Sequence, residues 1–201
     1  MTAAPPDALR RELARKALHL ATAALPVAWA HGWISTAALR TTLTAAVAVA
    51  LAIEALRRWH RGAGVAFSAA VGWMLRPHES QRLTGATWLA IAMAGVVWLA
   101  PHRAALAALW AAAVGDASAA LVGRSVAAWR GRATDAKSVA GAAAAVAATA
   151  LGARLLVATT WPIALSLGGV AALAEWPRRP FDDNLRVAAA VALAATALGL
   201  R

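Results

Sequence analysis

Long apolar stretches separated by short charged loops set the pattern of this chain. Seven apolar segments stand out, at about 13–33, 35–56, 84–101, 104–123, 138–153, 155–176 and 185–200. A membrane-crossing helix needs about 17–25 predominantly apolar residues. The segments at 138–153 and 185–200 are short by that measure, which suits half-buried helices or crossings where a bilayer thins. Gly62 to Leu75 is also apolar but too short to cross comfortably, and is expected to be re-entrant or interfacial. The pattern predicts an all-α, polytopic integral membrane protein of about seven transmembrane or half-spanning helices, forming one domain over 1–201. No internal repeat is visible.

Composition agrees. The chain is 61% hydrophobic, where soluble domains hold about 45–50%, and one soluble core could not bury so many apolar runs. Cysteine is absent, which removes disulfides and thiolate chemistry. The net charge of +11 does not indicate nucleic-acid binding, because the basic residues are dispersed among the loops. Sixteen of the twenty Lys and Arg fall in the N-terminus and alternate loops; Arg40, Arg103, Arg154 and Arg201 make up the other side. This asymmetry predicts a cytoplasmic N-terminus in the cell membrane. Arg10, Arg11, Arg15 and Lys16 before an apolar stretch give the start of the chain the look of a leader, but His19 and Pro26 interrupt it and a retained span is expected. All nine acids lie on or near the predicted cytoplasmic side, which locates a candidate site there.

The sharpest candidate is Asp116, the sole charge in the run from Ala104 to Gly123. A carboxylate near the centre of a membrane helix costs roughly 2.5–3.5 kcal/mol and is a functional candidate for that reason. Asp116, Ala119, Ala120 and Gly123 fall on one helical face and leave room for a ligand. Downstream, Lys137 and Ser138 open the segment containing Gly141, where free amides and the helix dipole favour an anion. Gly131 to Ser138 nearly matches a phosphate-binding P-loop, but Ala136 replaces its second glycine and no strand precedes it, so that fold is excluded.

Three further groups accompany Asp116. Glu12, Arg15, Lys16 and His19 share one helical face. Arg76, His78, Glu79, Arg82 and Thr84 precede a helix start, where Thr84 is a natural cap and His78-Glu79 suits proton transfer or phosphate contact. Glu175 ends an apolar segment, and Asp182, Asp183 and Asn184 follow two prolines; one of the three suffices as a cap, and the surplus suits a second carboxylate cluster. Mg²⁺ is typically held by one or two carboxylates together with phosphates and water, so these groups describe a metal–polyphosphate site.

In this order the blocks resemble the CTP-dependent lipid-alcohol kinase family, which includes dolichol, phytol and farnesol kinases and the fungal CTP-dependent diacylglycerol kinase. The resemblance is carried by Glu12, Arg15-Lys16 and His19; by Arg76, His78-Glu79 and Leu83-Thr84-Gly85-Ala86-Thr87; by Gly115-Asp116, Gly123, Lys137-Ser138-Val139 and Gly141; and by Glu175 and Asp183-Asn184-Leu185. Ala140 departs from it, standing where the family has glutamate. The resemblance implies a polytopic enzyme that phosphorylates a membrane alcohol (polyprenol, phytol, farnesol or diacylglycerol) from CTP or another nucleoside triphosphate. Asp116 would bind Mg²⁺, with Glu175 or Asp183; Arg15, Lys16 and Lys137 would hold phosphates; Glu79 or His19 would accept the alcohol proton. Phosphatidate cytidylyltransferase uses the same nucleotide, but its Asp-Arg-x-x-Asp ending is absent. A small transporter is the other alternative, and the one-sided acids oppose it.

Overall fold

The structure, a computed structural model, describes residues 6–129, 138–176 and 182–201. Helix is the only regular structure among the described residues. The segment expected at 13–33 is two helices, α1 (Pro6–Thr22) and α2 (Ala24–Ala30). Pro26 explains the break. It has no N–H to give Thr22, four residues back, and its ring would crowd that carbonyl. The segment at 35–56 is α3 (Thr36–Trp59), capped by the Ser35 hydroxyl, which accepts from the Ala38 amide at 3.1 Å. Gly62 to Leu75 forms α4 (Arg61–Val71) and a 3₁₀ turn (Gly72–Met74). No residue of α4 is buried, and it lies along α3.

Beyond this, α5 (Gly85–Leu99) starts at Thr84, whose hydroxyl accepts from Thr87 N at 3.3 Å, as its sequence position predicts. The segment at 104–123 is longer than expected. It comprises α6 (His102–Trp110), a π turn (Ala111–Gly115) and α7 (Asp116–Trp129). α8 (Val139–Leu156) reaches 18 residues, so the segment expected to be short is not. α9 (Trp161–Glu175) begins six residues later than expected, because Pro162 fits only the first turn of a helix and fixes the start. α10 (Asp183–Ala197) ends in a Gly199 at φ 83°, with the Leu200 amide returning to Ala195 O at 3.0 Å.

α6 and the π turn form the axis of the bundle. Ala104, Ala105, Ala107, Ala108 and Leu109 are buried, as are Ala111, Ala112 and Ala113. α10 packs on α5, α6 and α9, and α8 packs on α7 and α9. Alanine and glycine at these contacts let backbones approach closely. Among the described residues three helices are long and apolar enough to cross a membrane: Thr36–Trp59, His102–Ala127 and Val139–Leu156; Gly85–Leu99 and Trp161–Glu175 are apolar but shorter. α3 exposes Val49, Leu51, Ile53 and Leu56.

The loops divide between two ends. At one end Arg40 Nε donates to Val97 O at 3.2 Å, Arg103 to Val157 O at 2.8 Å, and Arg154 to Thr159 O. At the other end the starts of α5, α8 and α10 gather around Asp116 and α1.

Candidate functional site

The polar face of α1 turns toward α7 and the π turn. Lys16 Nζ donates to Asp116 Oδ2, an ion pair between residues one hundred positions apart, only 5% and 6% exposed. His19, 8% exposed, places Nδ1 3.3 Å from the same oxygen but outside hydrogen-bond geometry, and among the described residues that nitrogen has no hydrogen-bond partner. Glu12 spans two cations: Oε2 lies 3.7 Å from Arg15 and Oε1 lies 3.0 Å from Arg124.

The π turn determines how Asp116 meets α1. The Asp116 amide donates to Ala111 O, five residues back, so one extra residue is accommodated within the turn. One residue of register rotates all of α7 by about 100°. Gly115 sits where a Cβ would come within 2.6 Å of Thr149 Oγ1, so α8 could not approach a bulkier residue there. Its place is in packing beside the carboxylate rather than in the wall of the cavity.

A cavity of about 140 Å³ opens beside Asp116. Glu12 and Lys16 of α1 line it, with Arg76 from the loop before α5 and Asp116, Gly123 and Arg124 of α7. Ser138 and Gly141 contribute the start of α8, Glu175 and Trp176 the end of α9, and Asp183 the start of α10. Gly123 and Gly141 hold α7 and α8 together. A Cβ on Gly141 would fall 2.6 Å from Ala119 O, and one on Gly123 2.9 Å from Ser138 Oγ. Ser138 caps α8, its hydroxyl accepting from Gly141 N at 3.1 Å. Lys137 lies outside the described residues. Arg15 is off the cavity wall; a Cβ on Gly85 would fall 3.8 Å from its Nη2 and 3.3 Å from Glu79 Oε1.

Glu79 and Glu54 serve a neighbouring scaffold. Glu79 Oε1 accepts from Gly85 N at 2.9 Å and Oε2 from Arg76 N at 2.8 Å, so both oxygens hold backbone at the entry to α5. Glu54 accepts from Thr84 N at 2.8 Å and from Arg57 Nε at 2.8 Å. Arg57 also donates to Glu79 O at 3.0 Å and Ser80 O at 3.2 Å, fastening the Arg76-bearing loop to α3. Asn184 Nδ2 donates to Gly85 O at 3.2 Å and joins α10 to α5. Asp182 caps α10, accepting from Asn184 N at 3.0 Å. Burial and the adjacent Asp183 charge push the Asp182 carboxyl up to about 6.

The blocks read from sequence therefore meet at one cavity through Lys16, Asp116, Gly123, Ser138, Gly141, Glu175 and Asp183. His19 contacts it through Asp116. Arg76, Arg124 and Trp176 line it as well; Arg76 headed a sequence block and Arg124 comes directly after Gly123, but neither had a spacing that marked it.

The lining chemistry can be tested against a metal ion. Among the described residues no three carboxylate or imidazole groups form a preformed cage. Four carboxylates (Glu12, Asp116, Glu175 and Asp183) face three cations (Lys16, Arg76 and Arg124) around the cavity. A polyphosphate alone would meet net negative charge from the described lining, and a divalent cation arriving with it would lessen that repulsion. The donor set fits an ion that shares its coordination with phosphate and water.

Comparison with known protein families, with curated proteins and with solved structures finds no match to this chain.

Proposed function

We propose that this protein is a membrane-embedded kinase, transferring the terminal phosphate of a nucleoside triphosphate, CTP by resemblance, to the hydroxyl of a lipid alcohol. The observation that carries this reading is the cavity itself. It joins a buried carboxylate, three cations, two further carboxylates at helix ends and the amino end of α8 within an apolar bundle. Such transfer depends on positioning and charge neutralisation more than on covalent catalysis. We read the seven apolar segments as spanning or half-spanning elements, with the N-terminus and the cavity on the cytoplasmic side, and α4 as lying in the interface.

In this reading Asp116, with Glu175 or Asp183, holds Mg²⁺, which when bound neutralises phosphate charge. Lys16, Arg76 and Arg124 hold phosphate oxygens, joined by Lys137 and, from off the cavity wall, by Arg15. Gly123 and Gly141 hold α7 and α8 close enough for residues of both helices to reach the phosphates. Of the two candidate bases we take His19, since Glu79 has both oxygens engaged by amides, while His19 Nδ1 has no hydrogen-bond partner among the described residues. His19 takes the proton of the alcohol as its oxygen bonds to the terminal phosphorus, and the nucleoside diphosphate leaves with the bridging oxygen.

Purified protein in detergent, given Mg²⁺, CTP or ATP and a panel of lipid alcohols, is expected to yield a phosphorylated lipid and a nucleoside diphosphate. Asp116→Asn is expected to lower turnover by about 100-fold or more, with thermal unfolding confirming that the variant folds. Pyrophosphate with a CDP-lipid would instead identify a cytidylyltransferase. Liposome flux without nucleotide turnover would identify a transporter. Full turnover by Asp116→Asn at saturating Mg²⁺ would refute the assignment of Asp116.

A further inference from the structure

Asp116 already has a cation. Its carboxylate is buried, and Lys16 Nζ donates to Oδ2 from within the same cavity wall. A buried carboxylate must keep a positive partner, since an unpaired buried charge is strongly disfavoured. A divalent ion approaching Oδ2 while Lys16 remains would meet an ammonium already bonded to that oxygen. For the ion to take that oxygen Lys16 has to give it up, and a buried ammonium that gives up its partner turns to another anion.

The cavity supplies the means. Lys16 carries its ammonium on a flexible four-carbon stem, and Arg76 and Arg124 line the same space. A polyphosphate drawn in by the two arginines offers Lys16 its new partner. Asp116 is then released toward a metal ion. His19 Nδ1, buried 3.3 Å from Asp116 Oδ2 and without a hydrogen bond among the described residues, marks a second polar group at this position.

We propose that Lys16 is a resident counter-ion that closes the metal position at Asp116 until a polyphosphate displaces it, so that divalent metal and polyphosphate bind together and neither binds well alone. This rests on reading the cavity as a metal–polyphosphate site. The coupling is reciprocal, as linkage requires: phosphate raises metal affinity by the factor by which metal raises phosphate affinity.

Binding of Mn²⁺, followed by electron paramagnetic resonance in detergent with and without inorganic tripolyphosphate, tests it. The full chain is expected to bind Mn²⁺ at least tenfold more tightly with tripolyphosphate, after correction for the Mn²⁺–tripolyphosphate complex in solution. Lys16→Met is expected to bind Mn²⁺ without tripolyphosphate at least tenfold more tightly than the full chain does, and Lys16→Met with Asp116→Asn is expected to lose that gain. Should Lys16→Met fail to fold, the wild-type comparison alone decides. Equal Mn²⁺ binding by the wild type with and without tripolyphosphate would overturn the exchange while leaving a metal site in place. A folded Lys16→Met without the gain would overturn it as well. Absence of Mn²⁺ binding in every protein, with tripolyphosphate present, would sink the metal–polyphosphate reading and the exchange with it.

Discussion

Asp182, Asp183 and Asn184 are adjacent polar residues placed in different roles. Asp182 caps α10, Asp183 lines the cavity, and Asn184 reaches Gly85. The sequence indicates a cap within this trio and a surplus beyond it, but side-chain direction at a helix start depends on what packs against it. Asp182 binds its proton more tightly folded than unfolded, because its carboxyl is raised to about 6. Stability from the protonated form is therefore fully present below the unfolded value near 4 and is lost as pH rises through about 6. Asp182→Asn keeps the cap and removes the charge. It is expected to match wild type near pH 4 and exceed it above pH 6 by on the order of 1 kcal/mol, allowing for partial exposure. Unfolding in detergent across pH 4–8 measures this. Glu79 carries a related lesson: its place beside His78 suggests proton transfer, yet its two oxygens hold the backbone of its own loop.

At the scale of elements, hydrophobic run length located the helices, and proline chemistry accounts for the breaks near Ala23 and before Trp161. The π turn had no such signal, since Ala-Ala-Ala-Val-Gly carries no proline, its single glycine is tolerated within a helix, and the turn differs from regular helix by one hydrogen-bond register. The α8–α9 contact also depends on a detail that composition conceals. Gly168 lies so close to α8 that a Cβ would fall 2.5 Å from Val146 O. Backbone cannot yield as a flexible side chain can, so Gly168→Ala must push the helices apart. A loss of about 1–3 kcal/mol is expected, while Gly169→Ala, with open space around its Cβ position, is expected to cost much less. Thermal or denaturant unfolding of the two variants provides the comparison.

Across the whole molecule, the charge pattern along the chain corresponds to the two ends of the bundle. Arg40, Arg103 and Arg154 meet carbonyls at one end, and Lys16, Arg57, Arg76 and Arg124 surround the other. That division was legible because loops alternate ends whenever antiparallel helices succeed one another. The convergence of four distant blocks on one cavity was not, because helix order along a chain does not set which helices touch. The cysteine-free sequence permits a direct test of the membrane orientation. In sealed inside-out vesicles, an impermeant maleimide is expected to label Gln81→Cys and spare Thr160→Cys, and in right-side-out vesicles the reverse. Labelling of both from one side would refute the proposed orientation.

The pair between Lys16 and Asp116 also bears on how the chain is born. Synthesis runs at about 5–20 residues per second, so Lys16 emerges roughly 5–20 s before its carboxylate exists. In the proposed membrane setting, a lysine within an apolar segment is costly to hold at its final depth until it is neutralised. The first helix then completes its placement only once α7 arrives, so an early part of the chain settles after segments made later.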